Sequence, residues 1–162
     1  MPARTASLTP MTDLHVRAVT LERTRQLRQA VLRPHETVEA MALGEASDAF
    51  AVGAFLGEEL VSVGFIAPDG EPGGWRIRGM ATAPGARGKG AGSGVLDALL
   101  RHALAAGAQR IWCNARTPAR HFYERAGFRV TSNEFELPTI GPHFVMELPL
   151  PAGGVRGEQG PA

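Results

Sequence analysis

The chain has 162 residues, of which 44% are apolar and 20% charged, a composition typical of one globular domain. Its formal net charge of +1 gives no support to broad nucleic-acid binding, and its single cysteine, Cys113, excludes an intramolecular disulfide and a cysteine-rich metal site. No apolar run approaches the roughly 20 residues of a membrane helix, and residues 1–10 lack the apolar block of a secretory signal. We therefore expect a cytoplasmic protein without a nucleic-acid or membrane partner.

The first third of the chain begins with a strand pattern and a helix pattern. Residues 14–19 largely alternate apolar and polar side chains, which predicts a strand. Thr20 suits a helix N-cap, and Pro34 predicts the end of the helix that follows. The helix is predicted to pack one apolar stripe, formed by Leu27, Ala30 and Val31. Its other face is basic and predicts a solvated surface of Arg23, Arg25, Arg28 and Arg33. Residues 36–44 predict a second, shorter helix.

Further strands are predicted downstream. Residues 49–56 and 60–67 predict a hairpin, and residues 75–83 predict a fourth strand that Pro84 ends. A helix pattern runs from there to about residue 106, and Gly107 suits the position after its end. Residues 110–114 predict a fifth strand in which Cys113 faces the core. Thr117 predicts the N-cap of a short helix, and residues 128–137 and 143–148 predict the last two strands.

This order of elements predicts one mixed α/β domain, in which helices pack against a single sheet. The domain is expected to span residues 12–149. Residues 1–11 are expected to form a flexible lead-in, and the Gly/Pro-rich residues 150–162 a disordered tail.

A glycine-rich stretch, Arg87 to Gly94, lies between the fourth strand and the long helix. Glycine loses more backbone entropy on folding than any other residue, so several glycines at a helix start need a reason. A helix N-terminus offers unpaired N–H groups and partial positive charge to an anion. Arg87 and Lys89 add two formal charges. The stretch therefore predicts a phosphate-binding site.

Three glycine motifs can be compared with this stretch. The nucleotide P-loop requires a hydroxyl residue after its lysine, but Gly90 follows Lys89. The dinucleotide fingerprint requires glycine at its sixth position, where Ser93 stands when Gly88 is counted as the first. The third pattern, Arg/Gln-x-x-Gly-x-Gly/Ala, is matched by Arg87, Gly90 and Gly92.

The third pattern resembles the acetyl-coenzyme A (acetyl-CoA) loop of the GNAT superfamily of N-acetyltransferases. Residues 78–84 resemble the family's fourth strand, and residues 119–128 resemble its A-x-x-F-Y-x-x-x-G-F segment. Residues 140–146 are similar to the ElaA-like branch. The resemblance implies a mostly antiparallel sheet of about six to seven strands, with helices on both faces and a splay between strands four and five.

The resemblance also implies which residues bind the coenzyme. Backbone N–H groups of the loop would hold its pyrophosphate, beside the Arg87 side chain; these are the groups of Gly88, Lys89, Gly90, Ala91, Gly92 and Ser93. The pantetheine arm would lie along Met80, Ala81 and Thr82. Further contacts are implied for Asn114, Ala119 and Phe122. Asn114 is equally well interpreted as a loop-capping residue, and Phe122 as a core residue.

For catalysis, the resemblance implies direct attack of a primary amine on acetyl-CoA, with no metal. Tyr123, the only tyrosine, occupies the general-acid position; the alternative is a packed aromatic. The general base stays open because the fourth strand carries Arg76 and Arg78 where relatives often carry an acid. The candidates are Glu134 and Glu136, which flank one residue of the sixth predicted strand, His143, and a chain of waters.

Two further functional hypotheses compete with this one. One is a non-catalytic acyl-CoA-binding or regulatory module on the same fold. The other is a nucleotide- or DNA-binding protein that uses the basic first helix, which the net charge disfavours. The expected partner is a small-molecule or peptide amine, and the resemblance allows a homodimer. No motif specifies the acceptor amine.

Overall fold

The computed structural model describes residues 13–151, which form strands, helices and short 3-10 turns. The strands are β1 Leu14–Val19, β2 Phe50–Leu56, β3 Glu59–Pro68, β4 Gly74–Thr82, β5 Arg110–Arg116, β6 Arg129–Val130, β7 Phe135–Leu137 and β8 Gly141–Leu148. The helices are α1 Leu21–Leu32, α2 Ala91–Ala105 and α3 Arg120–Arg125. The 3-10 turns span Glu39–Ala42, Pro84–Ala86 and Thr117–Ala119. No helix within this part of the chain is long and apolar enough to cross a bilayer.

The strands belong to one sheet in the order β1-β2-β3-β4-β5-β8-β6, with β7 also paired to β8. The β4–β5 pair is parallel and runs from Gly74–Arg110 to Ile77–Cys113. The β1–β2, β2–β3 and β5–β8 pairs are antiparallel, as are those of β6 and β7 with β8. The predicted mixed α/β class and mostly antiparallel sheet are thus confirmed.

The described chain has eight strands instead of six or seven, because the strand predicted over residues 128–137 is interrupted. Its two parts are β6 and β7. Between them, the Ser132 hydroxyl accepts a hydrogen bond of 2.9 Å from the Val145 N–H. The Val145 N–H thus binds a side chain instead of a backbone carbonyl, and the hydrogen-bond ladder along β8 is interrupted between β6 and β7.

The chain forms two compact units. Among the described residues, the first contains 13–67 and 78–102, and the second contains 68–77 and 103–151. In the first unit, Thr20 caps α1 as predicted, since its Oγ1 accepts a hydrogen bond of 3.3 Å from the Arg23 N–H.

The predicted division of α1 into an apolar stripe and a solvated basic face is wrong. Its buried residues are Thr24 and Arg28, whereas Leu27 is only half-buried and Ala30 is exposed. A buried arginine requires partners that satisfy its charge and its donors. The partners of Arg28 come from outside the helix.

A polar network around Arg28 explains why this arginine is buried. Arg28 Nη1 donates to Glu45 Oε2 at 2.6 Å and to Thr24 Oγ1 at 3.2 Å, while Nη2 donates to the Met41 carbonyl at 3.0 Å. Arg25 binds both oxygens of the same carboxylate, at 3.1 and 2.9 Å. Burial of Glu45 favours its neutral form, but the hydrogen bonds from Arg25 and Arg28 outweigh burial and lower the pKa of this carboxyl.

The Arg28 guanidinium also restricts which residue β4 can carry at position 79. Arg28 Cζ lies 4.8 Å from the centroid of the Phe65 ring. At Gly79, where φ is +70°, a Cβ would lie 2.8 Å from Phe65 Cε2 and 3.0 Å from Arg28 Nε. Only glycine fits where β4 passes this cation–ring pair.

The second helix predicted over residues 36–44 is reduced to the turn Glu39–Ala42. Two carbonyls of this segment are bonded to side chains. Arg28 binds the Met41 carbonyl, and Arg78 Nη1 donates to the Gly44 carbonyl at 2.7 Å. Gly44 also has a φ of +78°, which is incompatible with a continuing right-handed helix.

The second unit is organised around β5 and β8. Ile111, Cys113 and Met146 are buried together with Tyr123 and Phe128. Thr117 does not cap α3 as predicted, because its hydroxyl donates to Glu134 Oε2 at 2.7 Å. The segment begins instead with the 3-10 turn Thr117–Ala119.

The buried network predicts that Glu45→Gln strongly destabilises the protein. The change leaves Arg28 buried without a countercharge, a situation that typically costs about 3 kcal/mol or more. Asp97→Asn is the control, since its pair with Arg101 is exposed and worth at most about 1 kcal/mol. Urea denaturation of both variants measures the difference in the free energy of unfolding.

The stabilisation that Glu45 provides should decrease as the pH falls. The folded-state pKa of Glu45 is lowered from 4.5, so its contribution is complete above pH 4.5 and is lost as the pH falls below it. The difference between wild type and Glu45→Gln should therefore shrink in acid. Equal unfolding free energies for Glu45→Gln and Asp97→Asn at pH 7 would contradict the role of the network.

Candidate active site

The predicted phosphate site is a loop that leads into α2. After β4, the turn Pro84–Ala86 brings the chain to a loop in which Gly88 and Gly90 have φ values of +80° and +87°. Helix α2 begins at Ala91, and its first hydrogen bond runs from the Gly94 N–H to the Gly90 carbonyl at 3.0 Å. The glycines thus provide the left-handed backbone that exposes the helix start.

This loop has the properties of an anion site. Within residues 13–151, the N–H groups of 88–93 have no hydrogen-bond partner. A Cβ at Gly88 or Gly90 would meet no atom within 4 Å, so the backbone is open to an approaching group. The first turn of α2 contains no acidic residue, and Lys89 is exposed beside it. These donors fit a phosphate or pyrophosphate.

The groups at the end of β4 are bonded to neighbouring segments. The Thr82 hydroxyl shares a hydrogen bond of 2.8 Å with the Ser62 hydroxyl, and the Ala83 N–H donates to the Val61 carbonyl at 2.8 Å. Ala81 is buried. Arg87, which is exposed, donates from Nε to the Thr82 carbonyl at 3.4 Å.

In the second unit, Tyr123 is buried against Cys113. Burial, followed by the effects of Cys113, raises the pKa of Tyr123 well above its usual value of 10. Burial also raises the pKa of the Cys113 thiol to about 12. Both groups are therefore protonated at neutral pH.

The partnership with Cys113 was missed by the sequence analysis, which treated this residue only as core. Cys113 is indeed buried, on the inward-facing positions of β5 with Ile111 and Ala115. The contact between Cys113 and Tyr123 depends on how α3 packs on β5, so the sequence pattern alone does not show it. Tyr123 also makes edge-to-face contacts with Phe122 and Phe128, at centroid distances of 5.1 and 5.4 Å.

The other residues implied for the coenzyme are distributed over both units. Asn114, on β5, and Phe122, on α3, are half-buried in the second unit. Ala119 is the last residue of the turn before α3 and is also half-buried. Met80, Ala81, Thr82 and the glycine loop belong to the first unit.

The three side-chain candidates for the base have different surroundings. Glu134 lies before β7 and is bound to the Thr117 hydroxyl, so it does not share a strand face with Glu136 as predicted. Glu136 is exposed and lies opposite Pro142. His143 is only 4% exposed, and its Nδ1 lies 2.8 Å from the Gly141 carbonyl. No cluster of three or more metal-ligating side chains occurs among residues 13–151.

The fold thus combines a mostly antiparallel sheet, which contains the parallel β4–β5 pair, with a glycine-rich helix start. The model of the acetyltransferase (GNAT) family matches residues 16–128. The chain therefore belongs to the GNAT acetyltransferase family, which uses acetyl-CoA, and is an acyltransferase enzyme.

Individual relatives agree with this assignment. The chain is 33% identical over 140 residues to the uncharacterised N-acetyltransferase YitI of Bacillus subtilis, covering 82% of this chain and 94% of that protein. Its fold is similar to Escherichia coli ElaA, with a TM-score of 0.69, 17% identity and coverage of 84% and 99%. It is also similar to an aminoglycoside 6′-N-acetyltransferase solved with coenzyme A (CoA), with a TM-score of 0.68, 14% identity and coverage of 82% and 95%.

The loop conformation predicts that Gly88→Ala weakens CoA binding. Alanine at a φ of +80° costs roughly 1 to 2 kcal/mol. The exposed loop can relax in the free protein, so the cost falls on binding and weakens affinity by about 5- to 30-fold. Isothermal titration calorimetry with CoA measures this change.

Gly85→Ala is the matched control for this experiment. An added Cβ at Gly85 also meets no atom within 4 Å, but Gly85 does not have a positive φ. Its affinity for CoA should equal that of the wild type. Unchanged affinity in Gly88→Ala would show that this loop conformation is not needed for CoA binding.

Proposed function

We propose that this protein transfers an acetyl group from acetyl-CoA to a primary amine, which attacks directly in a ternary complex. The observation that carries the proposal is the hydroxyl of Tyr123, a residue that is 6% exposed and that burial keeps protonated at neutral pH. Acetyl transfer from a thioester ends with a thiolate that must be reprotonated. A buried hydroxyl that keeps its proton at neutral pH is suited to that task.

The glycine loop is proposed to bind the pyrophosphate of the coenzyme. Its N–H groups of 88–93 and the start of the α2 dipole would bind the negative charge, and Arg87 and Lys89 would add to the positive field. The main chain of Met80–Thr82 and the Asn114 amide would then hold the pantetheine arm, and Ala119 and Phe122 would contact it. A backbone N–H of Met80 or Ala81 would polarise the thioester carbonyl.

Tyr123 is proposed to act as the general acid. The thiol of CoA should have a pKa near the ~8.5 of cysteine, so its thiolate is a good leaving group and needs only a positioned proton.

A non-catalytic acyl-CoA-binding module is the second candidate function. It is favoured by one observation: β4 carries Arg76 and Arg78, and no acid, between Gly74 and Thr82. Such a module would bind the coenzyme without releasing thiol in the presence of an amine. The two functions therefore differ in turnover and not in binding.

Binding is tested by thermal shift with four ligands. Acetyl-CoA or CoA at ~100 times its dissociation constant should stabilise the protein by about 2.7 kcal/mol. ATP and NAD should give much smaller shifts, because the loop lacks the motifs of both nucleotide sites. Absence of a response to both CoA species would refute the proposal.

Catalysis is tested with Tyr123→Phe and a panel of primary amines. Release of free thiol should fall about 10²-fold or more, the usual contribution of a general acid. The variant should keep the thermal shift with CoA, since it loses only the hydroxyl. In the wild type, ionisation of the acid should reduce activity only above pH 10, because burial raises the pKa of Tyr123. An unchanged rate in Tyr123→Phe would exclude its role as the acid.

A further inference from the structure

Two buried hydrogen-bond donors without acceptors belong to neighbouring side chains of the second unit. Within residues 13–151, the buried side-chain nitrogen and oxygen atoms that lack a partner are Arg76 Nε and Trp112 Nε1. Arg76 is paired with Trp112 in the β4–β5 register, and its Cζ lies 5.1 Å from the centroid of the indole ring. The two unpartnered N–H groups are therefore part of one side-chain contact.

Unpartnered donors at this depth need an explanation. Nearly all buried polar groups in folded proteins have a partner, because a group left without one loses its hydration and gains nothing in return. An indole N–H and a guanidinium N–H are donors only, so neither group can satisfy the other. What both lack is an acceptor, and an oxygen atom of a bound ligand would supply it.

Arg76 keeps free the edge of its guanidinium that matches a carboxylate. Its Nη1 donates to Asp69 Oδ2 at 3.4 Å, an exposed contact at the long limit of a hydrogen bond. Arg76 makes no other hydrogen bond in the described part of the chain. Nε and Nη2 therefore remain as the parallel pair of donors to which the two oxygens of a carboxylate bind side by side.

The guanidinium is accessible from solvent, although its Nε is buried. The Arg76 side chain is 27% exposed, and that of Asp69 is 44% exposed. An ion pair as long and exposed as this one contributes little to stability. Exchange of Asp69 for an incoming carboxylate is therefore easy, and it leaves the guanidinium free to turn its Nε edge toward the ligand.

Trp112 is held where its N–H can serve as a further donor. Its indole ring is contacted by two guanidiniums, since Arg110 Cζ lies 5.0 Å from the ring centroid and Arg76 Cζ lies 5.1 Å from it. Trp112 is paired with Arg76 on β4 and with Glu147 on β8. A ring with neighbours on both adjacent strands has little freedom to turn, so the fold sets the position of its N–H.

The charges around this contact favour a monoanion over a phosphate. Arg110 is already bound to Glu147 at 2.8 Å, and the charge of Arg76 is matched by Asp69. The contact thus supplies N–H donors without surplus positive charge. A phosphate dianion would bring a charge that no cation here compensates. A single carboxylate that takes the place of Asp69 at the guanidinium keeps the charges balanced.

We propose that Arg76 and Trp112 form a binding site for a small organic carboxylate. Arg76 donates to the carboxylate through Nε and Nη2, and the Trp112 N–H is the further donor. Asp69 is the group that the ligand displaces. The site uses none of the residues proposed to bind the coenzyme, and its existence does not depend on acetyl transfer. The same chemistry recognises a carboxylate on an amine that is acetylated and one on a molecule that is not a substrate.

The indole N–H resonance of Trp112 tests the site directly. A ¹H–¹⁵N spectrum shows the indole signals, and Trp112→Phe identifies which of them belongs to Trp112. Titration with propionate at constant ionic strength should move this signal downfield to saturation, because the indole N–H gains a charged acceptor. Propionamide has a similar shape without the charge. It should bind about 10-fold more weakly or less, and so should inorganic phosphate.

Two variants and a control assign the binding to these donors. Arg76→Lys keeps the positive charge but loses the Nε–Nη2 edge, so the affinity for propionate should fall about 10-fold or more. Trp112→Phe keeps an aromatic ring and loses only the indole N–H, and calorimetry should also show weaker binding. Arg101→Lys is the matched control, because Arg101 pairs with an aspartate on the exposed surface of α2. It should bind propionate as the wild type does.

β-Alanine, which adds an amine to propionate, distinguishes the two sources of the carboxylate. Acetylation of β-alanine with a KM that rises in Arg76→Lys would identify the ligand as an amine substrate. Binding of propionate without acetylation of β-alanine would identify a ligand that is not a substrate. Either result supports the site.

Three results would overturn the site. They are the absence of a saturable shift of the Trp112 signal with both propionate and β-alanine, equal affinity for propionamide or phosphate, and equal affinity for propionate in Arg76→Lys and Arg101→Lys. Failure of the wild type to bind CoA or to release thiol would refute the proposed function alone, since the titration with propionate needs neither.

Discussion

The buried ion pair between Arg28 and Glu45 is the interaction on which the first unit depends. It connects α1 to the segment that precedes β2. The Arg28 guanidinium also lies over the Phe65 ring, and the two groups leave room only for glycine at position 79 of β4. A buried charge is tolerated only when its partners are complete. One guanidinium therefore constrains a helix, a loop and a strand at once, and the strand it constrains is the one whose end is proposed to bind the coenzyme.

Features controlled by neighbouring residues were predictable from the sequence. The Thr20 cap, the left-handed Gly107 after α2 and the glycine loop all follow local rules of backbone geometry. Arg28 was not predictable, because its partner Glu45 is 17 residues away and a helix pattern shows only which side chains share a face. The break between β6 and β7 was missed for a similar reason, since it depends on a hydrogen bond from Val145 to the Ser132 hydroxyl.

The candidate site shows the same division. The positions of Tyr123 and the glycine loop came from motif spacing, which the sequence displays directly. The surroundings of individual side chains came from tertiary contacts: the burial of the Tyr123 hydroxyl, and the Gly141 carbonyl at His143 Nδ1. A sequence gives the identity of a titratable side chain, whereas its protonation state and tautomer are determined by atoms that the fold brings to it.

The burial of Cys113 has a consequence for an enzyme whose proposed product is itself a thiol. Disulfide exchange and oxidation proceed through the thiolate. With a pKa of about 12, only about one Cys113 side chain in 10⁵ is ionised at pH 7. This is the only cysteine in the chain. Burial of Cys113 therefore disfavours mixed disulfides with CoA, because little thiolate is present to attack an oxidised coenzyme.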